Sequence, residues 1–233
     1  MTLVSVMLME RWVRGVLLTI VLTVMLLSNF FIELGNLQRF LDSAELVVLV
    51  VAVLKFSGYG REELGLGGEF SVVKHVLFPF TFFILPLTVV LAVPHRSVPP
   101  KVFLLYALNY VLVAGIPEEL LFRGLLFASL EERFGWKVAL LGTAIGHWLA
   151  HVLVGINVSQ LIASFILTSY RLTFRRIEPL IITHALWDTT FIILKPELIG
   201  SSALLIIMPL LGGTLISLIV FFVNGMREKE AIR

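Results

Sequence analysis

The chain has 233 residues, of which 58% are hydrophobic and 15% charged, with a mean hydropathy of +1.00. Globular proteins run at roughly 45–50% apolar and about 25% charged. A soluble protein of this size has too little interior to hide so much apolar side chain, so lipid is the solvent for most of it. The same numbers exclude disorder, coiled coil and collagen. The net charge of +2 and pI near 9.0 read as membrane topology and anionic headgroups rather than nucleic acid, because the basic residues sit between apolar runs. The absence of cysteine removes disulfides, thiolate metal sites and a cysteine nucleophile.

In chain order, the first apolar stretch runs from Trp12 to Ile32. It is too long for a signal-peptide core, and no small-residue cleavage site follows, so it reads as a retained span. Further apolar segments cover 44–57, 72–93, 102–130, 138–155, 158–170, 179–194 and 203–223. Backbone in lipid must satisfy its own hydrogen bonds, so each is expected to be helical. The expected fold is all-α: a polytopic integral membrane bundle of about eight transmembrane helices. It forms a single membrane domain over 1–233, with a catalytic core at roughly 102–194. Some segments are shorter than the ~20 residues that cross a bilayer, so they end elsewhere or are partly buried in protein.

Lysine and arginine set the orientation. With an inside N-terminus, thirteen of the 18 fall in inside segments; only Arg39, Arg96, Lys101 and Lys195 fall outside, and Arg123 lies within a span. That asymmetry places both termini in the cytoplasm.

A polar or ionisable group at membrane depth costs several kcal/mol unless paired or wetted, so each one is a functional candidate. The fourth span carries Glu118, Glu119 and Arg123 within IPEELLFRGLLF. The fifth carries His147 and His151 within GTAIGHWLAHVLVG, and the seventh His184 and Asp188 within ITHALWDTTF. Glu119 and Arg123 are i,i+4 with the acid first, which is the favourable order for a pair. Glu118 points about 100° away and is free for chemistry. His147 and His151 share one helix face, as do His184 and Asp188. Blander readings stand beside these. Glu119–Arg123 can be a structural ion pair, and His147 a core histidine bonded to a carbonyl. His75 and His95 near span ends read as solvated, and Gly212-Gly213 as a close-packing or bending point.

EELLFRG, a later HxxxH and a later HALWD together resemble the three motifs of the CAAX-protease and bacteriocin-processing family. That family comprises intramembrane glutamate proteases and includes the Ras-converting CAAX endopeptidases. Its pattern is EExxxR, then FxxxH, then HxxxN or HxxxD. Glu118, Glu119 and Arg123 match the first motif in full, His151 ends the second, and His184 with Asp188 form the third. His147 stands where the family usually has phenylalanine. The resemblance covers about 75 residues, from Ile116 to Thr190. REELGLG at Arg61–Gly67 also resembles a segment of these proteins.

The resemblance implies that Glu118 and His151 activate a water for attack on a peptide carbonyl, proton transfer typically worth ~10²–10⁴ in rate. His184 and Asp188 then face the developing oxyanion. An ionised aspartate cannot donate to an oxyanion, so Asp188 is either protonated or orients His184. The implied substrate is a peptide or protein C-terminus, lipidated or unlipidated, at a membrane cavity open to the cytoplasm. His184, about five residues inside its span, is shallow enough there for water entry. Membrane lipids are the other partners, and no nucleic acid is expected. No cofactor is expected either. The rivals are a zinc protease, since three histidines and the carboxylates can fill a tetrahedral site although HEXXH is absent, a transporter or proton relay, and a non-catalytic bacteriocin-immunity type of membrane protein.

Overall fold

A computed structural model describes residues 9–28, 36–72, 75, 96–151 and 158–193. Among these, the secondary structure is helical, with no strand. The expected span 203–223, nearly all of 72–93, His95 and Gly212-Gly213 lie outside the described residues. The elements are α1 (Arg11–Ser28), α2 (Asn36–Phe56), α3 (residues 100–134), α4 (Trp136–Ala150), α5 (Val158–Phe174) and α6 (Glu178–Ile193).

Helix α3 is one continuous rod of changing pitch. It runs as α-helix over Pro100–Tyr110, π-helix over Val111–Gly115, α over Ile116–Glu118, π over Glu119–Leu126 and α over Phe127–Phe134. Pro117 lacks an N–H, and its ring crowds the carbonyl one turn earlier. The wider π turn directly before it takes up that misfit. Every residue of the second π segment is buried, so α3 is the axis on which the other helices pack. Gly135, with φ of +79°, ends α3 in a left-handed conformation that glycine adopts without strain. It is the only residue between α3 and α4.

Helix α4 packs on both α5 and the last α-helical segment of α3, α1 lies along the second half of α3, and α6 lies along the first half. The core joins Leu22 of α1, Leu49 and Val53 of α2, Leu120, Leu121, Phe122, Leu125 and Leu126 of α3 and Ile181 of α6. Several polar side chains inside helices are satisfied locally. Thr168 donates to the Ser164 carbonyl, Ser169 to Phe165 and Thr189 to Ala185, a pattern that lets serine and threonine sit in apolar helices. The outward faces are apolar instead: Val21 and Val24 of α1, Val47 of α2, Leu104 and Leu108 of α3 and Leu141 of α4 are all more than half exposed. Among the described residues, one helix, Arg11–Ser28, is both long and apolar enough on its own to cross a membrane.

Two sequence expectations change here. His75 is 6% exposed rather than solvated. Its Nδ1 accepts the Ser71 N–H at 2.7 Å, and its ring lies against Phe70 and Phe174. Arg171, assigned to an inside loop with Arg175 and Arg176, is instead 2% exposed near the end of α5. It donates to the carbonyls of Arg123 at 3.0 Å and Glu63 at 2.6 Å, clamping the 57–69 loop against α3.

Candidate active site

Three helices bring the ionisable residues together. Helix α3 approaches α6 so closely that a Cβ on Gly115 would lie 2.6 Å from the Ile181 carbonyl oxygen. That contact, one turn before each partner, sets Glu118 and Glu119 beside His184.

Glu118 is the hub. Its Oε2 is 2.8 Å from His147 Nε2, 3.6 Å from His151 Nε2 and 3.9 Å from His184 Nε2. His151 caps the end of α4, and its Nδ1 lies 2.9 Å from the His147 carbonyl. A carbonyl only accepts, so Nδ1 carries the hydrogen and a neutral ring turns the Nε2 lone pair towards Glu118. His147 therefore differs from its sequence reading as a carbonyl-bonded core histidine. It touches the Glu118 carboxylate directly, packs edge-on against Phe122, and its buried Nδ1 has no partner among the described residues.

Glu119 occupies a separate, closed compartment. Its Oε1 accepts from Arg123 Nη1 at 3.2 Å and from His184 Nδ1 at 2.7 Å. Arg123 continues through Nη2 to the Ser164 hydroxyl at 2.9 Å. The i,i+4 pair expected from the sequence is present and has no exposure at either side chain, but it also grips the imidazole of α6. With Nδ1–H committed to Glu119, His184 points Nε2 at Glu118 and at Asp188 Oδ2, 3.6 Å away. The two adjacent glutamates differ in reach: Glu118 keeps 21% side-chain exposure and Glu119 none. His151 at 22% and Asp188 at 27% share the open flank with Glu118. A nucleophilic water can meet Glu118 and cannot meet Glu119.

Residues 100–190 match the family model of the type II CAAX prenyl endopeptidase Rce1-like proteins. That family is one of proteases, hydrolases of the peptide bond, and the matched residues hold all three motif helices together with α5. No curated protein matches the chain.

Ser164 and Arg171 are parts of this CAAX-endopeptidase match that motif reasoning did not reach. Ser164 belongs to a polar face with Thr168 that was visible in the sequence as serine and threonine at helical spacing. Arg171 looked like one member of a basic cluster, and nothing local marks it as buried. His184 lies six residues into α6 from Glu178, about 9 Å along the helix, and α6 starts beside the 57–69 loop, where the Ile177 N–H donates to the Gly65 carbonyl at 2.9 Å. His151 comes from the opposite end of α4 to Trp136 and Lys137, about 22 Å along that helix.

Proposed function

We propose that the chain is a membrane-embedded, glutamate-type endopeptidase that hydrolyses a peptide bond near the C-terminus of a membrane-associated, CAAX-type substrate. The supporting observation is the meeting of Glu118 with His151 and His184, at 3.6 and 3.9 Å, from three separate helices. A water on the open flank donates one hydrogen to Glu118 and another to the His151 Nε2 lone pair. Its oxygen attacks the carbonyl carbon, forming the C–O bond. The proton taken by Glu118 passes to the amide nitrogen as the C–N bond breaks. His184, its Nδ1–H fixed by Glu119, offers Nε2–H to the developing oxyanion when doubly protonated. Asp188 acts from 3.6 Å as the carboxylate that orients and supports that imidazole, so it need not donate itself. Catalysis on this reading uses no cofactor.

The whole chain forms one multi-pass domain with both termini cytoplasmic, a core at 102–194, and lipids around its apolar faces. Prenylation of a CAAX cysteine gives a substrate its own membrane anchor, which suits a site walled by helices whose outer faces are apolar. The test is cleavage of a farnesylated CAAX peptide by purified protein in lipid vesicles, beside the unprenylated peptide and the Glu118→Gln variant. Cleavage lost in Glu118→Gln supports the reading; equal cleavage by both proteins ends it.

A further inference from the structure

Of the histidines around Glu118, the closest is the one that the family pattern replaces with phenylalanine. His147 and His151 are i,i+4 near the end of α4, with ring centroids 4.6 Å apart, and Glu118 faces both from α3. One ligand atom from each of Glu118, His147 and His151 lies within 4.8 Å of the other two. Two imidazoles from one helix and a carboxylate from another form the His₂Glu donor set that zinc takes in open, three-ligand sites. With metal–ligand distances of about 2.0–2.2 Å, tetrahedral ligand atoms stand about 3.3 Å apart. The Glu118–His151 separation of 3.6 Å is close to that value. The 2.8 Å contact to His147 needs only a small opening.

The surrounding bonds favour coordination. His151 already has the tautomer of a metal ligand, with Nδ1–H held by a backbone carbonyl and Nε2 free to bind. His147 Nδ1 is buried without a partner among the described residues; moving the ring hydrogen there releases Nε2 to a metal, and the metal–nitrogen bond must outweigh the cost of that unpaired N–H. Imidazole and carboxylate donors without thiolate select zinc, cobalt or nickel class ions over magnesium and calcium.

We infer that Glu118, His147 and His151 form a binding site for a divalent transition-metal ion, and that occupancy inhibits the peptidase. The metal site stands on its own geometry, while its inhibitory effect rests on the function proposed above. The ion takes up both groups that handle the water: the Glu118 oxygen that receives its proton and the His151 lone pair. Glu119 cannot substitute as base, because Arg123 and His184 hold it.

The probe is cobalt(II) added to the purified full-length protein, read by visible absorption and by metal content after desalting. The expected result is one cobalt per chain, displaced by zinc, with affinity reduced at least about tenfold in His147→Phe, His147→Gln and His151→Gln. His75→Gln, which changes a histidine outside the cluster, keeps wild-type binding. Zinc should inhibit cleavage of the farnesylated peptide over the range in which it displaces cobalt, and a chelator should restore it. Each variant is compared with its own metal-free rate. Absence of stoichiometric cobalt binding, or binding unchanged by all three cluster variants, overturns the site and leaves the peptidase reading intact. Cleavage that requires zinc overturns both the inhibition and the metal-free mechanism. If no condition gives cleavage, the peptidase reading and the inhibition fall together, and the cobalt spectrum alone decides the site.

Discussion

Glu118 and Glu119 are neighbours in sequence but differ in access and in partners. Glu118→Gln removes a base and strands no cation. It is expected to abolish cleavage and leave thermal stability in detergent near wild type, because a neutral amide is cheaper than a carboxylate in an apolar surrounding. Glu119→Gln leaves Arg123, fully buried, without its counter-charge, and removing one member of a buried pair costs ~3–5 kcal/mol. Thermal denaturation should show that loss in Glu119→Gln and in Arg123→Leu, and a double change that costs less than their sum. Because Glu119 also holds His184, Glu119→Gln should lower the turnover of whatever protein does fold. Equal destabilisation by both glutamate changes would mean that the two carboxylates share Arg123. The i,i+4 spacing made the Glu119–Arg123 pair legible, and the offset between adjacent residues made the separation of Glu118 from that pair legible. The contact of His147 with Glu118 was not, because a helix face states which residues share a side and not which neighbour that side meets.

At the scale of elements, the apolar segments announced the helices, but the ends and the pitch of α3 came from elsewhere. Pro117 was visible, yet the response of the backbone to it, a π turn rather than a break, depends on how tightly α6 holds the same stretch. Gly115 is the point of that hold. Gly115→Ala places a Cβ against backbone, which cannot rotate away, and overpacking of this kind costs about 1–3 kcal/mol. It should lower the melting temperature. It should also reduce kcat more than KM, since α6 is displaced from α3 and His184 from Glu118. A wild-type kcat in Gly115→Ala would show that the α3–α6 spacing does not set the site. Arg171 anchors the opposite end of the same packing. Arg171→Met removes the guanidinium from over the Phe127 ring and loses both carbonyl contacts, each worth about 1.5–3 kcal/mol for a charged donor. Limited proteolysis of this variant should cut within 57–69, where wild-type protein resists.

The described residues have a charged end and an apolar body. At the charged end a cavity of about 690 Å³ is lined by Arg11 from α1, Glu63 and Glu69 from the 57–69 loop, Glu131 from α3, and Arg175 and Arg176 after α5. Arg11 pairs there with Glu63 at 2.9 Å and Glu132 at 3.0 Å, and Arg175 with Glu131 at 2.6 Å. The start of α1 and the ends of α2, α3 and α5 therefore lie on one side, the side that the basic asymmetry assigns to the cytoplasm. Burial of Arg171 takes one residue from that count and leaves twelve against four, so the inference survives the correction. At the other end, the Arg96 N–H donates to the Ile193 carbonyl at 2.8 Å. Residue 96 and the end of α6 are thus together, remote from the charged cavity. From Ile193 the chain has 40 residues left, and their one long apolar run is 203–223. A single crossing there returns Arg233 to the side of Met1, and a failure to cross leaves it with Arg96. Reporter fusions at Met1, Gly68, Arg96 and Arg233 separate these outcomes. Met1, Gly68 and Arg233 should report the cytoplasm, and Arg96 the opposite side. Arg233 reporting with Arg96 would remove the last span while leaving the 100–190 site as it stands. Gly68 reporting with Arg96 would break the arrangement on which the whole topology rests.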